Sequence, residues 1–206
     1  MATVTTFELL NFLAHFYLSG NDKGLRIGNF IADSVKGNAF NNWEDPVRRG
    51  ILLHRHIDQF TDSHPVVIHT KSLLHPYFHH YSGVVSDVYY DHFLAANWSE
   101  FSSVPLETYA AEIYAAMKAE AADFPERPAQ MLPFMISNNW LCAYASVEGI
   151  DTVMRGMARR AKFESGMEKS GDVLRLKYTE LESDFREFFP QLQESVNDFL
   201  MKYTKA

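Results

Sequence analysis

The chain has 206 residues, of which 47% are hydrophobic and 14% aromatic, and it carries a formal net charge of −7. This length and apolar content predict a single domain spanning residues 1–206 with a sizeable core. The apolar runs are short and the N-terminus lacks the sections of a signal peptide, so we expect a cytoplasmic protein with no membrane partner. The negative charge argues against a nucleic-acid partner, because a phosphate backbone would be repelled.

Hydrophobic periodicity predicts an all-α protein, a single-domain helical bundle, since apolar residues recur at helical spacing and no window alternates like a strand. In chain order, helices are predicted at residues 7–19, 25–35, 42–62, 66–80, 84–98, 106–122, 131–145, 149–162 and 172–203. Asn42 is the predicted cap of the third helix, and Pro190 is predicted to break the last one.

The third predicted helix carries a stripe of polar side chains. At 100° per residue, His54, Asp58 and Asp62 fall within roughly 80° of one another, and Arg55 lies at the edge of the stripe near Asp62. Apolar residues occupy the opposing face. We therefore expect the stripe to face an internal cavity.

Two carboxylates share one face of the helix predicted over residues 84–98. Asp87 and Asp91 are four residues apart on a largely apolar helix, where like charges destabilise unless a cation neutralises them. His92 follows directly. Carboxylate and imidazole groups suit Mn²⁺, Mg²⁺ or Fe²⁺, so this segment predicts metal binding.

Further polar residues stand on apolar helix faces near the N-terminus. Asn29 and Asp33 are four apart, and His15 lies within an apolar segment. A lone buried histidine or aspartate is more often a hydrogen-bonded structural residue than a ligand, and this is the interpretation we favour for His15 alone. Grouping across several helices favours a metal site instead for Asp33, His54, Asp58, Asp91 and His92.

Four segments carry a resemblance to a known family. They are NFLAHFYL (11–18), GNFIAD (28–33), LHRHIDQFTDSHP (53–65) and DVYYDHFLAANW (87–98). With these segments the sequence resembles the acyl carrier protein phosphodiesterase family, a divergent branch of the HD phosphohydrolase superfamily. The resemblance implies an HD-domain-like helical fold, a divalent metal such as Mn²⁺ with Mg²⁺ or Fe²⁺ as alternatives, and removal of 4′-phosphopantetheine from holo acyl carrier protein.

The resemblance also implies roles for individual residues. The adjacent His-Asp pair of the superfamily is reversed here as Asp91-His92, which leaves the ligand assignments open. Our mapping takes as metal ligands Asp33, His54, Asp91 and His92, with Asp58 as an alternative ligand. The candidates for positioning the reacting groups or transferring protons are His15, Asp58, Asp62 and Asp87.

Substrate contacts are expected from cationic side chains. Arg55 is the candidate for holding phosphate oxygens, with a structural ion pair to Asp62 as the alternative. Acyl carrier proteins are acidic, so Arg155, Arg159 and Lys162, at helical spacing, predict a docking surface. The alternative for these three is an ordinary solvated helix face.

Two other functions remain open at this point. The same site could serve a metal phosphohydrolase that acts on a nucleotide or another small phosphodiester. A non-catalytic helical binding module could instead keep the polar residues for structure, pairing its acids with Arg55 and the histidines.

Overall fold

The computed structural model describes residues 11–204, and every regular element within that range is a helix, as periodicity predicts. The predicted start of the first helix at residue 7 lies outside the described residues. The helices are α1 (Phe12–Leu18), α2 (Lys23–Ile31), α3 (Val47–Ser63), α4 (Pro65–Phe78), α5 (Ser82–Ala96), α6 (Trp98–Phe101), α7 (Leu106–Glu120), α8 (Glu126–Ser137), α9 (Trp140–Ala143), α10 (Val147–Ala158) and α11 (Ser170–Thr204).

Helix α5 runs through the middle of the core. Its residues from Val85 to Ala95 are all buried, and α1, α4, α10 and α11 pack around it. A helix that is surrounded by others needs apolar side chains on most of its surface, which is why the residues of α5 from Val85 to Ala95 are mainly apolar. The acids that it carries, Asp87 and Asp91, are therefore enclosed by protein.

Helices α2 and α3 form the most extensive helix pair, and they cross where Gly28 meets Gly50. Neither glycine has a Cβ, so the two backbones approach closely at this point. The crossing brings the C-terminal end of α2, which carries Asn29, against the middle of α3, which carries His54. Helix α1 packs against both α2 and α5.

Three predicted helix boundaries are wrong. Helix α3 begins at Val47 and not at Asn42, which ends a 3-10 turn, because the proline at position 46 disfavours helix in the residue before it. Residues 131–145 are split at Asn139, whose φ of 44° lies in the left-handed region that asparagine tolerates. Helix α11 continues through Pro190, which removes only one backbone hydrogen bond from a 35-residue helix.

Among the described helices, none combines the length and the hydropathy needed to cross a bilayer.

Candidate metal centre

Two histidines from α1 and α3 meet at a buried cluster. The rings of His15 and His54 stack with centroids 4.3 Å apart, and both side chains are buried. Asp58, one turn after His54, contacts both rings, with Oδ2 3.1 Å from His54 Nε2 and Oδ1 3.4 Å from His15 Nε2. Asp33 Oδ1 lies 3.2 Å from His54 Nε2. The two carboxylates are half-buried, so the cluster is open on their side.

Asn29 fixes the orientation of both histidine rings. Its Oδ1 lies 2.7 Å from His15 Nδ1 and 2.9 Å from His54 Nδ1. Its Nδ2 donates to the His15 carbonyl oxygen and to Ser19 Oγ, so the amide cannot be turned around without losing both bonds. An amide oxygen only accepts, so both Nδ1 atoms carry hydrogen. In a neutral ring, Nε2 then holds the lone pair and faces Asp58.

The electrostatics of the cluster favour a cation between these atoms. Burial lowers the pKa of His54, but hydrogen bonds and charge interactions with Asp33 and Asp58 outweigh burial and raise it to about 10. Burial raises the pKa of Asp58, yet His15 and His54 hold it well below its ordinary range. The carboxylates thus stabilise positive charge at Nε2, which a bound divalent cation would also supply.

The residues present fit a divalent metal. Ligand atoms of His15, His54 and Asp58 lie within 4.8 Å of one another, and these three form the only such group in residues 11–204. His15 Nε2 is buried, and Asp58 Oδ1, 3.4 Å away, lies outside good hydrogen-bond geometry. Two imidazole nitrogens with carboxylate oxygens are donors that Mn²⁺ and Fe²⁺ accept. The structure therefore offers a possible metal site, with Asp33 close enough to join it.

The structure gives Asp91 and His92 other partners. Asp91 Oδ2 and Oδ1 accept hydrogen bonds from the backbone N–H groups of Leu13 and Ala14, at 2.9 Å and 2.8 Å. Asp91 therefore caps the first turn of α1, and burial raises its pKa to about 8. His92 contacts the Tyr144 carbonyl oxygen through Nδ1 and the Tyr178 hydroxyl through Nε2.

Asp62 and Asp87, the two other acids with a predicted role, stand in different environments. Asp62 is 73% exposed and pairs with Lys71 Nζ at 2.7 Å, so it does not continue the buried stripe that the sequence predicts. Asp87 is buried, and burial raises its pKa well above the ordinary range. The charges of Asp58, Asp62 and Asp91 raise it further, while Lys71 lowers it. The environment of Asp87 therefore favours its protonated, neutral form over its charged form.

Arg55 is engaged by the loop that follows α2. Its Nη1 and Nη2 donate to the carbonyl oxygens of Gly37 and Val35, and its guanidinium lies over the Phe40 ring. The alternative ion pair with Asp62 is not formed, because Asp62 pairs with Lys71. Arg55 thus holds residues 35–40 against α3.

The predicted docking cations lie at the end of α10. Arg155 is 60% exposed and pairs with Asp151 on its own helix. Arg159 and Lys162 are exposed, and Lys162 Nζ lies over the ring of Phe163. Phe163 is itself 70% exposed. The segment thus presents a basic surface around one exposed aromatic ring.

Two residues of this region have no role assigned from the sequence. In the sequence, Asn29 is only a polar residue on an apolar helix face. Its hydrogen bonds to His15 and His54 depend on how three helices pack. Lys71 lies in a wetter helix, and nothing in the sequence places it beside Asp62 and Asp87.

The sequence is similar to proteins of one known family. The family model described as acyl carrier protein phosphodiesterase matches residues 10–192. Relatives named acyl carrier protein phosphodiesterase include one from Photorhabdus laumondii, 31% identical over 92% of this chain and 96% of the relative. Another, from Enterobacter sp., is 32% identical over 89% of this chain and 95% of the relative. A third, from Escherichia coli O6:H1, is 30% identical over 91% and 98%.

No solved structure matches this chain. The family model covers every segment that carries the site, from α1 to α5, and continues into α11. The chain belongs to the acyl carrier protein phosphodiesterase family.

Proposed function

We propose that the cluster of His15, His54 and Asp58 is where this phosphoric diester hydrolase removes 4′-phosphopantetheine from holo acyl carrier protein. Family membership supports the reaction. The observation that carries the site is the buried meeting of two Nε2 atoms with a carboxylate, with ligand atoms within 4.8 Å of one another. The products are the apo protein and 4′-phosphopantetheine.

His15, His54 and Asp58 would hold the metal, with Asp33 as a fourth ligand. A divalent cation, Mn²⁺ in our proposal, supplies Lewis acidity to a water molecule and to the phosphate oxygens. Asn29 keeps both Nε2 atoms directed at that position by accepting from both Nδ1 atoms. Asp33 is half-buried and lies on the open side of the cluster, where it would also accept a proton from the attacking water.

Asp87 is our candidate for the acid that protonates the leaving serine oxygen. As water attacks phosphorus, the bond from phosphorus to that oxygen breaks and the alkoxide must gain a proton. Burial raises the pKa of Asp87 well above its ordinary range and so favours the form that carries the proton. The charges of Lys71 and Asp58 both act on the pKa of Asp87, which supports a position within reach of the cluster. A neutral carboxylic acid is the protonation state that this step requires.

We assign the phosphate contact to Lys71. Two N–H groups of Arg55 already donate to backbone carbonyl oxygens, so they are not available to a phosphate. Lys71 is half-buried, pairs with Asp62, and its charge acts on Asp87. A single ammonium suits a non-bridging phosphate oxygen as a point charge. Asp62 holds Lys71 in place through their ion pair.

The partner is proposed to dock at the end of α10. Acyl carrier proteins are acidic, and Arg159 and Lys162 offer exposed cations on a chain whose net charge is −7. Phe163, which is exposed and contacted by Lys162, supplies an apolar contact on the same surface. Opposite charges on the two proteins would increase the rate of encounter.

The proposal is tested by incubating the protein with Mn²⁺ and holo acyl carrier protein and following the intact mass of the carrier. Wild type is expected to remove the 4′-phosphopantetheine mass. Asp58→Asn is expected to lose Mn²⁺ binding and activity together. Asp172→Asn, which changes an acid that is 88% exposed, serves as the matched control and should behave as wild type.

Two results would overturn separate parts of the proposal. Mn²⁺ binding with no change in carrier mass, together with turnover of bis(4-nitrophenyl) phosphate, would replace the carrier protein by a small phosphodiester. Full activity of Asp58→Asn would remove the cluster as the site. For the acid, Asp87→Asn should lower kcat by about 10²–10⁴-fold while Mn²⁺ binding is unchanged.

A further inference from the structure

A surface cleft lies between the ends of several helices, and it shares no residue with the candidate metal centre. It has a volume of about 810 Å³ and is bounded by the end of α1, the middle of α2, α6, the start of α7 and the later part of α11. None of His15, His54, Asp58 or Asp33 lines it. Its walls are mixed, with polar side chains beside four aromatic ones, Tyr17, Trp98, Phe101 and Tyr109.

Arg26 brings a buried positive charge to this cleft. The residue is only 9% exposed, and its Nε is buried without a hydrogen-bond partner. Its Nη2 donates to the neutral amide oxygen of Asn21, and its guanidinium stands 5.5 Å from the centre of the Tyr109 ring. Among residues 11–204 no carboxylate pairs with it. Burying a cation without an anion is unfavourable, so an anion is the missing partner.

Tyr109 adds an unused polar group beside Arg26. Its side chain is 8% exposed, and its buried hydroxyl lies close to the Arg26 guanidinium, with no acceptor for its own hydrogen among the described atoms. A phenol O–H and a guanidinium N–H are both donors, so together they suit an acceptor that carries negative charge. Native structures rarely leave two adjacent buried groups unsatisfied without a ligand or ordered water.

We propose that this cleft binds a small amphipathic monocarboxylate, with the carboxylate on Arg26 and Tyr109 and the apolar body against Tyr17, Trp98 and Phe101. One guanidinium balances one negative charge. Glu112, which also lines the cleft and is exposed, disfavours a doubly charged phosphate. Small-molecule sites combine apolar contact surface with converging polar groups, and this cleft offers aromatic rings next to Arg26 and Tyr109.

The test is isothermal titration of the protein with octanoate and with 3-phenylpropanoate, which separate an aliphatic from an aromatic body. Octanamide serves as the uncharged control. At least one acid is expected to bind, and octanamide is expected to bind at least about tenfold more weakly, because hydrogen bonds to charged groups are the stronger ones. Binding of neither acid, or equal binding of octanamide and octanoate, would overturn the proposal.

Variants then locate the binding site. Arg26→Met should weaken acid binding by about tenfold or more, whereas its own thermal stability should not fall, because it removes an unpaired buried charge. Tyr109→Phe, which keeps the ring, should weaken acid binding several-fold. This variant tests the location of the site on its own if Arg26→Met fails to fold. Lys23→Met is the matched control, since this cation on the same helix is exposed and pairs with Glu120. Unchanged affinity in Tyr109→Phe and Arg26→Met would place the ligand elsewhere.

Discussion

Gly28 and Gly50 face each other where α2 crosses α3, and a Cβ on Gly28 would lie only 2.8 Å from the Cα of Gly50. A Cβ on Gly50 would likewise collide with the backbone of Leu25. Backbone atoms cannot move aside as a flexible side chain can. The crossing therefore depends on both glycines. The distance between Asn29 on α2 and His54 on α3 depends on the crossing in turn.

Replacing Gly28 by alanine is expected to destabilise the protein. Overpacking typically costs about 1–3 kcal/mol, which for a chain of this size lowers Tm by roughly 2–12 °C. Differential scanning calorimetry measures the change. Gly156→Ala is the matched control, because Gly156 lies in α10 with nothing within 4 Å of its Cβ position. That variant should be neutral or gain up to about 1 kcal/mol from helix propensity. Equal Tm values for the two variants would contradict the expectation.

Removing the acceptor of Asn29 is expected to weaken metal binding. Asn29→Ala frees both histidine rings to rotate, and losses of this kind reduce metal affinity by about 10–100-fold. Asn29→Asp retains an oxygen that accepts from both Nδ1 atoms, so it should lose less affinity than Asn29→Ala. Titration calorimetry with Mn²⁺ gives both dissociation constants, with circular dichroism to confirm that each variant is folded. A tighter Kd for Asn29→Ala than for Asn29→Asp would refute this role.

Most of the helices could be predicted from the sequence because their apolar faces repeat at 3.6 residues. Helix α11 shows where local rules fail. Pro190 predicts a break, but Phe188, Phe189 and Leu192 around it are buried against the core, and this packing outweighs one missing hydrogen bond. The left-handed residue Asn139 gives no comparable signal in a segment that is otherwise typical of a helix.

The candidate metal centre could be predicted only in part. His54 and Asp58 share a face of one helix, so spacing alone places them together. That His15 completes the cluster depends on how α1 rotates against α2 and α3, which no single-helix pattern contains. The spacing of Asp87 and Asp91 predicts a metal, because two carboxylates on one helix face repel unless a cation neutralises them. The structure relieves that repulsion by different means, since the N–H groups at the start of α1 bind Asp91 and burial favours protonated acids.

The raised pKa of Asp91 makes a prediction about stability and pH. Its ordinary value is 3.8, and in the folded protein burial raises it to about 8, although the N–H groups of Ala14 and Leu13 lower it. Between these values the folded state holds a proton that the unfolded state has released. The stability that Asp91 contributes is therefore complete below pH 3.8 and is lost as the pH rises to about 8.

Asp91→Asn cannot ionise and so isolates this effect. The free energy of unfolding of wild type minus that of Asp91→Asn should fall between pH 5 and 8, by up to about 1.4 kcal/mol per pH unit. Urea unfolding in the presence of a chelator measures it. Asp172→Asn, at an exposed acid, should show no such trend. A difference that does not vary with pH would mean that the N–H donors keep Asp91 ionised throughout.

The basic end of α10 makes the last prediction, on docking of the acidic carrier protein. Arg159→Glu combined with Lys162→Glu should raise KM for holo acyl carrier protein by about tenfold or more, because like charges across an interface oppose association. The value of kcat should change little, since neither residue belongs to the metal centre. Added salt should raise KM for wild type and have less effect on the double variant, because salt screens exposed charges.

The matched control for docking is Lys118→Glu combined with Lys202→Glu, which makes the same change in net charge at exposed positions on α7 and α11. If docking is local, this control keeps the wild-type KM, because its new charges lie outside the surface formed by Arg159, Lys162 and Phe163. An equal rise in KM for both double variants would show that only the total charge matters. In that case the carrier protein is steered by the overall field of the molecule, and the end of α10 is an ordinary solvated helix face.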